Sequence, residues 1–205
     1  MENFYIFGSC NYLTTFAAEP ELYSGLISGE EEQVKAIAYY RELSFGSFSN
    51  EDIEFPIIFR EQLESGKRFR DILDNRTISL YLISDRFKNI LQSSGLTGWK
   101  CYPIELYDKF GHSIRGYHGL SIIGKAGKMK KHKTPPMDLG YSPNSYGYYF
   151  DVTAWDGSDI FNPKDSNFML VTKSFIDTLV KHKITSCEYI QLTNYGDSSK
   201  YKYIR

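Results

Sequence analysis

The sequence predicts an α+β fold: a single domain in which a few helices pack on a mixed or mostly antiparallel sheet. Two observations carry this. Residues 80–104 and 168–192 each read as strand, helix, strand, and they align without a gap at an offset of 172 − 84 = 88. Residues 101–107 and 117–123 alternate apolar and polar side chains on either side of the turn formers Lys109-Phe110-Gly111-His112, as the arms of an antiparallel hairpin do. The first pattern allows parallel strand pairs and the second antiparallel ones, hence the mixed sheet. At 205 residues the chain lies within the range of one domain (1–205), long enough to bury a core without staples.

The elements follow in order. Phe4, Tyr5, Ile6 and Phe7 form a first strand that Gly8-Ser9 stops. Ser28-Gly29-Glu30-Glu31 has the form of a capping box, and Val34, Ile37, Ala38 and Tyr40 predict a helix over about 30–43. Glu30, Glu31 and Glu32 suit the positive end of its dipole; the same triplet could dock a basic partner. Phe55, Ile57 and Phe59 alternate as a strand, which Pro56 places at a sheet edge or at its own first residue. Residues 60–76 are charged and read as helix plus turn.

In the aligned stretches Ser84 matches Thr172, each a hydroxyl able to cap a helix, and Phe87 matches Phe175, Leu91 matches Leu179, Leu96 matches Ile184 and Thr97 matches Thr185. Phe87, Ile90, Leu91, Phe175 and Leu179 recur at helical spacing and belong to the core. Phe168, Met169, Leu170 and Val171 are too short an apolar run for a helix and suit a buried strand. The second helix should end near His182 and Lys183, where cations suit the negative end of the dipole. Residues 124–148 read as an irregular loop, and 201–205 as a loosely packed tail.

Composition excludes several classes. Net charge is −1 and aromatic residues make up 16% of the chain, so neither a disordered tail nor a globally basic nucleic-acid binder is indicated. Cys10, Cys101 and Cys187 are widely spaced and odd in number, which fits reduced thiols in a cytoplasmic protein. No apolar run approaches the length of a membrane span, and the start, Met1-Glu2-Asn3, lacks the basic segment of a secretory signal.

Catalytic patterns are absent. His112, His118, His132 and His182 show no paired metal spacing, and there is no nucleophile elbow or phosphate-binding glycine loop. Asp151, Asp156, Asp159 and Asp165 lie close in sequence, but without the spacing of a calcium loop they read as turn-forming carboxylates. An uncharacterised hydrolase or nucleotide-processing enzyme would have to draw on this cluster together with His118. Trp155, beside them, is a core anchor or an interface hot spot. Lys125, Lys128, Lys130, Lys131, His132 and Lys133 form the one dense basic run, followed by Tyr141, Tyr146, Tyr148 and Tyr149. Basic residues beside aromatics can bind single-stranded nucleic acid, but no RNA-binding motif accompanies them; a solvated or partner-binding loop accounts for them as well.

The segment FDVTAWDGSDIF, followed by VTKSFIDTLVKHKITSCEYIQL, resembles a family of bacterial polymorphic-toxin immunity proteins, the MXAN-0049-type immunity family. Leu82-Ile83-Ser84-Asp85-Arg86-Phe87, Tyr102-Pro103-Ile104-Glu105-Leu106 and Gly116-Tyr117-His118-Gly119-Leu120 extend the resemblance to about residues 54–195. It implies a cytoplasmic protein that binds and neutralises a cognate toxin by occlusion, with no enzyme activity and no cofactor. The candidate partner-binding residues are Trp155, Asp156 and Asp159 on the aspartate turn, with Lys128, Lys130, Lys131, Tyr141 and Tyr146 in the 125–149 loop. No catalytic, cofactor or metal residues are expected.

Overall fold

A computed structural model describes residues 1, 3–10, 14–21, 30–46, 55–73, 80–133, 146–196 and 198–204. The fold is α+β. In chain order its elements begin with β1 (Phe4–Ser9), β2 (Ala18–Pro20), α1 (Glu30–Phe45), β3 (Ile57–Glu61), β4 (Ile72–Leu73), β5 (Tyr81–Ser84), α2 (Asp85–Ser93), β6 (Trp99–Tyr102) and β7 (Ile104–Tyr107). There follow β8 (Ser113–Ile114), β9 (Tyr117–Ile122), β10 (Gly124–Ala126), β11 (Met129–Lys133), β12 (Tyr146–Phe150), β13 (Ile160–Pro163), β14 (Met169–Thr172), α3 (Lys173–Lys181), β15 (Cys187–Gln191) and β16 (Lys202–Ile204). The chain divides into two compact units. One comprises Met1–Cys10, Ser93–Gly98 and Gly124–Arg205, the other Asn11–Gln92 and Trp99–Ile123.

The first unit holds a six-stranded sheet in the order β10-β13-β14-β1-β15-β16, antiparallel except for β10 beside β13, and the separate pair β11-β12. Phe4, Ile6, Phe150, Phe161, Leu170, Ile190 and Leu192 form its core. The second unit holds two four-stranded sheets, β2-β3-β7-β8 and β4-β5-β9-β6, with one parallel pair, β3 beside β7. Its core gathers Phe59, Leu73, Leu80, Leu82, Tyr102 and Leu106 around one face of α1.

The 88-residue offset holds in three dimensions. β5 and β14 start and end at matching positions, as do α2 and α3. Each helix is capped by the matched hydroxyl: the Phe87 amide donates to Ser84 Oγ (3.1 Å) and the Phe175 amide to Thr172 Oγ1 (3.3 Å). In each unit an antiparallel strand lies between the two strands flanking the helix: β9 between β5 and β6, β1 between β14 and β15. The two stretches therefore sit in different sheets. The backbone also matches where it is unusual: Gly95 and Lys183 both adopt positive φ (66° and 52°), and so do Gly98 and Ser186 (90° and 68°).

Lys183 closes α3. Its amide donates to the Val180 carbonyl (3.1 Å) and the Ile184 amide to the Leu179 carbonyl (3.0 Å), the paired bonds of a left-handed helix stop, with Leu179 and Ile184 both fully buried against it. A side chain at this φ costs about 1 kcal/mol, and the matched position carries glycine. Lys183→Gly should therefore raise stability by about 0.5–1 kcal/mol in urea denaturation. A variant no more stable than the parent would mean the strain is not there to relieve.

Several expectations are corrected. α1 turns a different face inward: Ala36, Tyr40 and Leu43 are buried, while Val34 and Ile37 are exposed. Ser28 and Gly29 of its capping box lie outside the described residues, as do the side chains of Glu30 and Glu31. Of the two places expected for Pro56, the strand start holds, since β3 begins at the next residue, and the sheet edge does not, since β3 lies between β2 and β7. Residues 60–73 contain no helix; they finish β3, turn, and form β4. The stretch 101–107 is not one strand, because Pro103 interrupts it. β6 pairs with β9 as the hairpin predicted, whereas β7 joins the other sheet. The basic run is not a loop: Lys130 and Lys131 belong to β11, which pairs with β12. The tail 202–204 is a strand, β16, paired with β15.

Candidate partner-binding surface

The aspartate turn is built from short-range hydrogen bonds. Asp151 Oδ1 accepts from the Thr153 amide (2.9 Å) and hydroxyl (2.7 Å), capping a single helical turn over Val152–Ala154. Asp156 Oδ1 accepts from the Ser158 amide (3.0 Å) and Oδ2 from the Lys125 amide (2.7 Å). Gly157 between them takes φ 87°, which glycine adopts without strain. The turn thereby fixes where β10 begins.

Asp159 reaches further. Its Oδ2 accepts from the Thr97 amide (3.0 Å) and hydroxyl (3.2 Å), and its Oδ1 from the Thr172 hydroxyl (2.9 Å) that also caps α3. One carboxylate thus ties the connection that follows α2 to the start of α3, and Thr97 and Thr172 are the residues that sequence reading missed as its partners. Nothing local signals them, since Thr97 lies 62 positions away.

Trp155 is half-buried. Its indole N–H donates to the Ser158 carbonyl (3.0 Å), and its ring meets Phe4 edge-on at 5.1 Å and Phe161 at 5.6 Å. It anchors the turn to the core with one face outward, so the core-anchor reading accounts for most of its contacts.

The basic strand lies alongside. β11 and β12 pair with Lys130 opposite Tyr149 and Lys131 opposite Tyr148. Residues directly opposite share a face, and successive residues alternate. Lys130 and Tyr149 therefore face the same way, and both are exposed. Lys131 shares the other face with Tyr148, whose ring packs on Phe168 (5.6 Å) and Tyr195 (5.3 Å). Lys128, just before the strand, pairs with Asp165 at 2.8 Å; both side chains are mostly exposed, so water screens the pair. The other side of β12 comes so close to Thr193 that a Cβ on Gly147 would overlap the Thr193 backbone. Lysines on such a strand also oppose edge-to-edge association. Tyr141 lies outside the described residues, as does the side chain of Tyr146, whose backbone begins β12.

The structure thus brings Trp155, Asp156 and Asp159 together on one turn and sets Lys128, Lys130 and Lys131 on and before β11, all in the first unit. Asp151, Asp156 and Asp159 are each taken up in hydrogen bonds from nearby amides and hydroxyls. Among the described residues no three His, Cys, Asp or Glu side chains gather in a metal-binding arrangement. His118 belongs to the second unit, where Nε2 lies 2.7 Å from Asp85 Oδ1 and 3.5 Å from Lys88 Nζ. Burial pushes the Cys101 thiol up to about 11 against the opposing pull of Lys88, leaving it protonated at neutral pH. Among the described residues no helix is long and apolar enough to cross a membrane.

Asp151 and Asp156 titrate low. For Asp156, partial burial pushes the carboxyl up, but hydrogen bonds from Ser158 and the Lys125 amide outweigh this and leave it below the ordinary value. For Asp151, the Thr153 hydroxyl and amide act in the same direction. A carboxyl depressed on folding contributes stability that is present above its unfolded value, about 3.8, and is lost as pH falls through the folded one. Asp156→Ala should therefore be less stable than the parent at pH 6, yet lose less of its stability between about pH 4 and 2. Guanidinium midpoints across that range check this; parallel profiles would show that the carboxylate contributes nothing through its ionised form.

Comparison with protein-family models and with curated protein sequences gives no match.

Proposed function

We propose that this chain is an immunity protein: it binds a cognate bacterial toxin made by the same cell, in the cytoplasm, and neutralises it by covering its working surface. The observation that carries this reading is a preformed surface without converging chemistry. Asp151, Asp156 and Asp159 are all taken up in hydrogen bonds that hold the fold together, while Lys130 on β11 and Tyr149 on β12 stand exposed opposite each other. Rigid surfaces of this kind bind without a large ordering cost, and aromatic residues are enriched among the few that dominate binding energy. The family resemblance of residues 54–195 points the same way. A stable complex would bury on the order of 1,600 Å² in total.

Co-expression with the product of the adjacent gene tests the reading, with growth rescue and co-purification scored together. Rescue with a stable complex is expected. If the neighbour is toxic and this chain neither rescues growth nor co-purifies with it, the reading fails. Lys128→Glu, Lys130→Glu and Lys131→Glu combined should slow association by about tenfold at low salt, because charges around an interface act chiefly on the encounter rate. That difference should shrink as salt rises.

A further inference from the structure

A cleft opens beside the basic strand. Met129, Tyr148 and Phe168, all half-buried, supply its apolar lining, and the exposed Lys128, Lys164 and Asp165 stand around it. Its volume is about 250 Å³. Sites for whole small molecules run from about 300 to 1,000 Å³, so this one has room for a single large side chain. The aromatic lining is a packed group: Phe168 meets Tyr195 edge-on at 5.0 Å and Tyr148 at 5.6 Å, the kind of arrangement that another ring can join. The charges select the neighbours of that ring. Lys128 and Lys164 outnumber Asp165, which is paired with Lys128.

We propose that this cleft is the anchor pocket for a partner protein: it takes one aromatic side chain from a segment whose flanking residues are acidic, the carboxylates settling on Lys128 and Lys164. The proposal rests on the partner-binding reading and deepens it by naming what the partner presents. On engagement, the exposed Lys128–Asp165 pair opens, and Lys128 exchanges one carboxylate for another. The ring is held by dispersion and edge contacts, and the lysines fix the register of the acidic segment.

Two experiments test it. In the first, the full chain is titrated with the blocked peptide Asp-Glu-Trp-Glu-Asp and with Asp-Glu-Ala-Glu-Asp, followed by nuclear magnetic resonance. The tryptophan peptide should bind at least tenfold more tightly and shift the resonances of Met129, Tyr148 and Phe168. Equal binding by the two peptides, no binding by either, or shifts confined to other residues would overturn the proposal. In the second, Ser166→Trp fills the cleft from its own lining, and Lys164→Glu reverses one charge beside it. With thermal unfolding unchanged from the parent, the plugged variant should lose at least thirtyfold in affinity for the toxin that the unaltered chain binds, and the charge variant about tenfold. A complex that forms with the parent and is indifferent to both variants sinks the pocket while leaving the immunity reading standing. Peptide binding in the cleft, with no toxin bound by the parent, sinks the immunity reading and keeps the pocket.

Discussion

Replacing Phe161 by alanine should destabilise the first unit by about 3–5 kcal/mol, the range for removing a buried aromatic ring. Phe161 is fully buried on β13. Its ring lies 5.5 Å from Phe150, 5.6 Å from Trp155 and 5.8 Å from Phe4, so one truncation empties the centre of an aromatic cluster drawn from four chain segments. These neighbours are held by other contacts and cannot collapse fully into the space, which keeps the loss near the upper end. At about 1.4 kcal/mol per decade, amide exchange in β1 and β14 should speed up by roughly a hundred- to several-thousand-fold. Phe161→Leu, which keeps most of the volume, should cost much less. Exchange in β1 and β14 that quickens less than tenfold in the alanine variant would show that the cluster is not the centre of this core. The effect should reach the candidate surface too, since Trp155 rests on this ring.

Gly98→Ala should cost about 2–5 kcal/mol through a different cause, overpacking added to the penalty of a left-handed side chain. Gly98 has φ 90°, and a Cβ there would overlap the carbonyl oxygen of Ile160 and come within 2.6 Å of Ser158 Cβ. A carbonyl cannot rotate aside as a flexible side chain can, so backbone must move. The segment that would move carries the Thr97 carbonyl, which accepts from the Ile160 amide (3.1 Å), and the Gly98 carbonyl, which accepts from the Gly124 amide (3.0 Å). Asp159 would lose its hold on Thr97 as well. Gly95→Ala supplies the comparison: its φ is 66°, but nothing lies within 4 Å of the added Cβ, so only the conformational penalty of about 1 kcal/mol applies. Urea midpoints of the two variants separate the causes, and equal losses would refute the steric account.

The parts of the fold that could be read from the sequence are those where local chemistry decides. Ser84 and Thr172 announce helix starts because a hydroxyl satisfies an orphan amide wherever it is placed. Phe87 and Leu91, like Phe175 and Leu179, lie on one face because the helical period puts them there. Pro103 also carried a local signal, a residue that breaks a strand, and it was read through. The face of α1 was misjudged because apolar residues occur around much of the helix; Tyr40 and Leu43 are buried by what packs on them, a fact outside the segment. β11 is a harder case: its lysines have no strand preference of their own, and it is a strand because Tyr146–Phe150 lies beside it. At the candidate site, Asp156-Gly157-Ser158 was legible as a turn. The ties from Asp159 to Thr97 and Thr172, and from Lys128 to Asp165, depend on distant residues meeting, and no spacing rule reports that.

The place of β1 bears on how the protein is made. This strand lies in the middle of the six-stranded sheet, with Phe7 opposite both Met169 and Tyr189. Its neighbours β14 and β15 leave the ribosome long after it does. At about 5–20 residues per second, roughly 10–30 s pass before β14 emerges. During that time the second unit can complete both of its sheets, while Phe4, Ile6 and Phe7 wait on a strand with two open edges, the kind of segment that recruits other chains. Yield in the cell should therefore depend on what shields those residues during translation, and a soluble partner fused ahead of them should raise it more than the same partner placed behind Arg205.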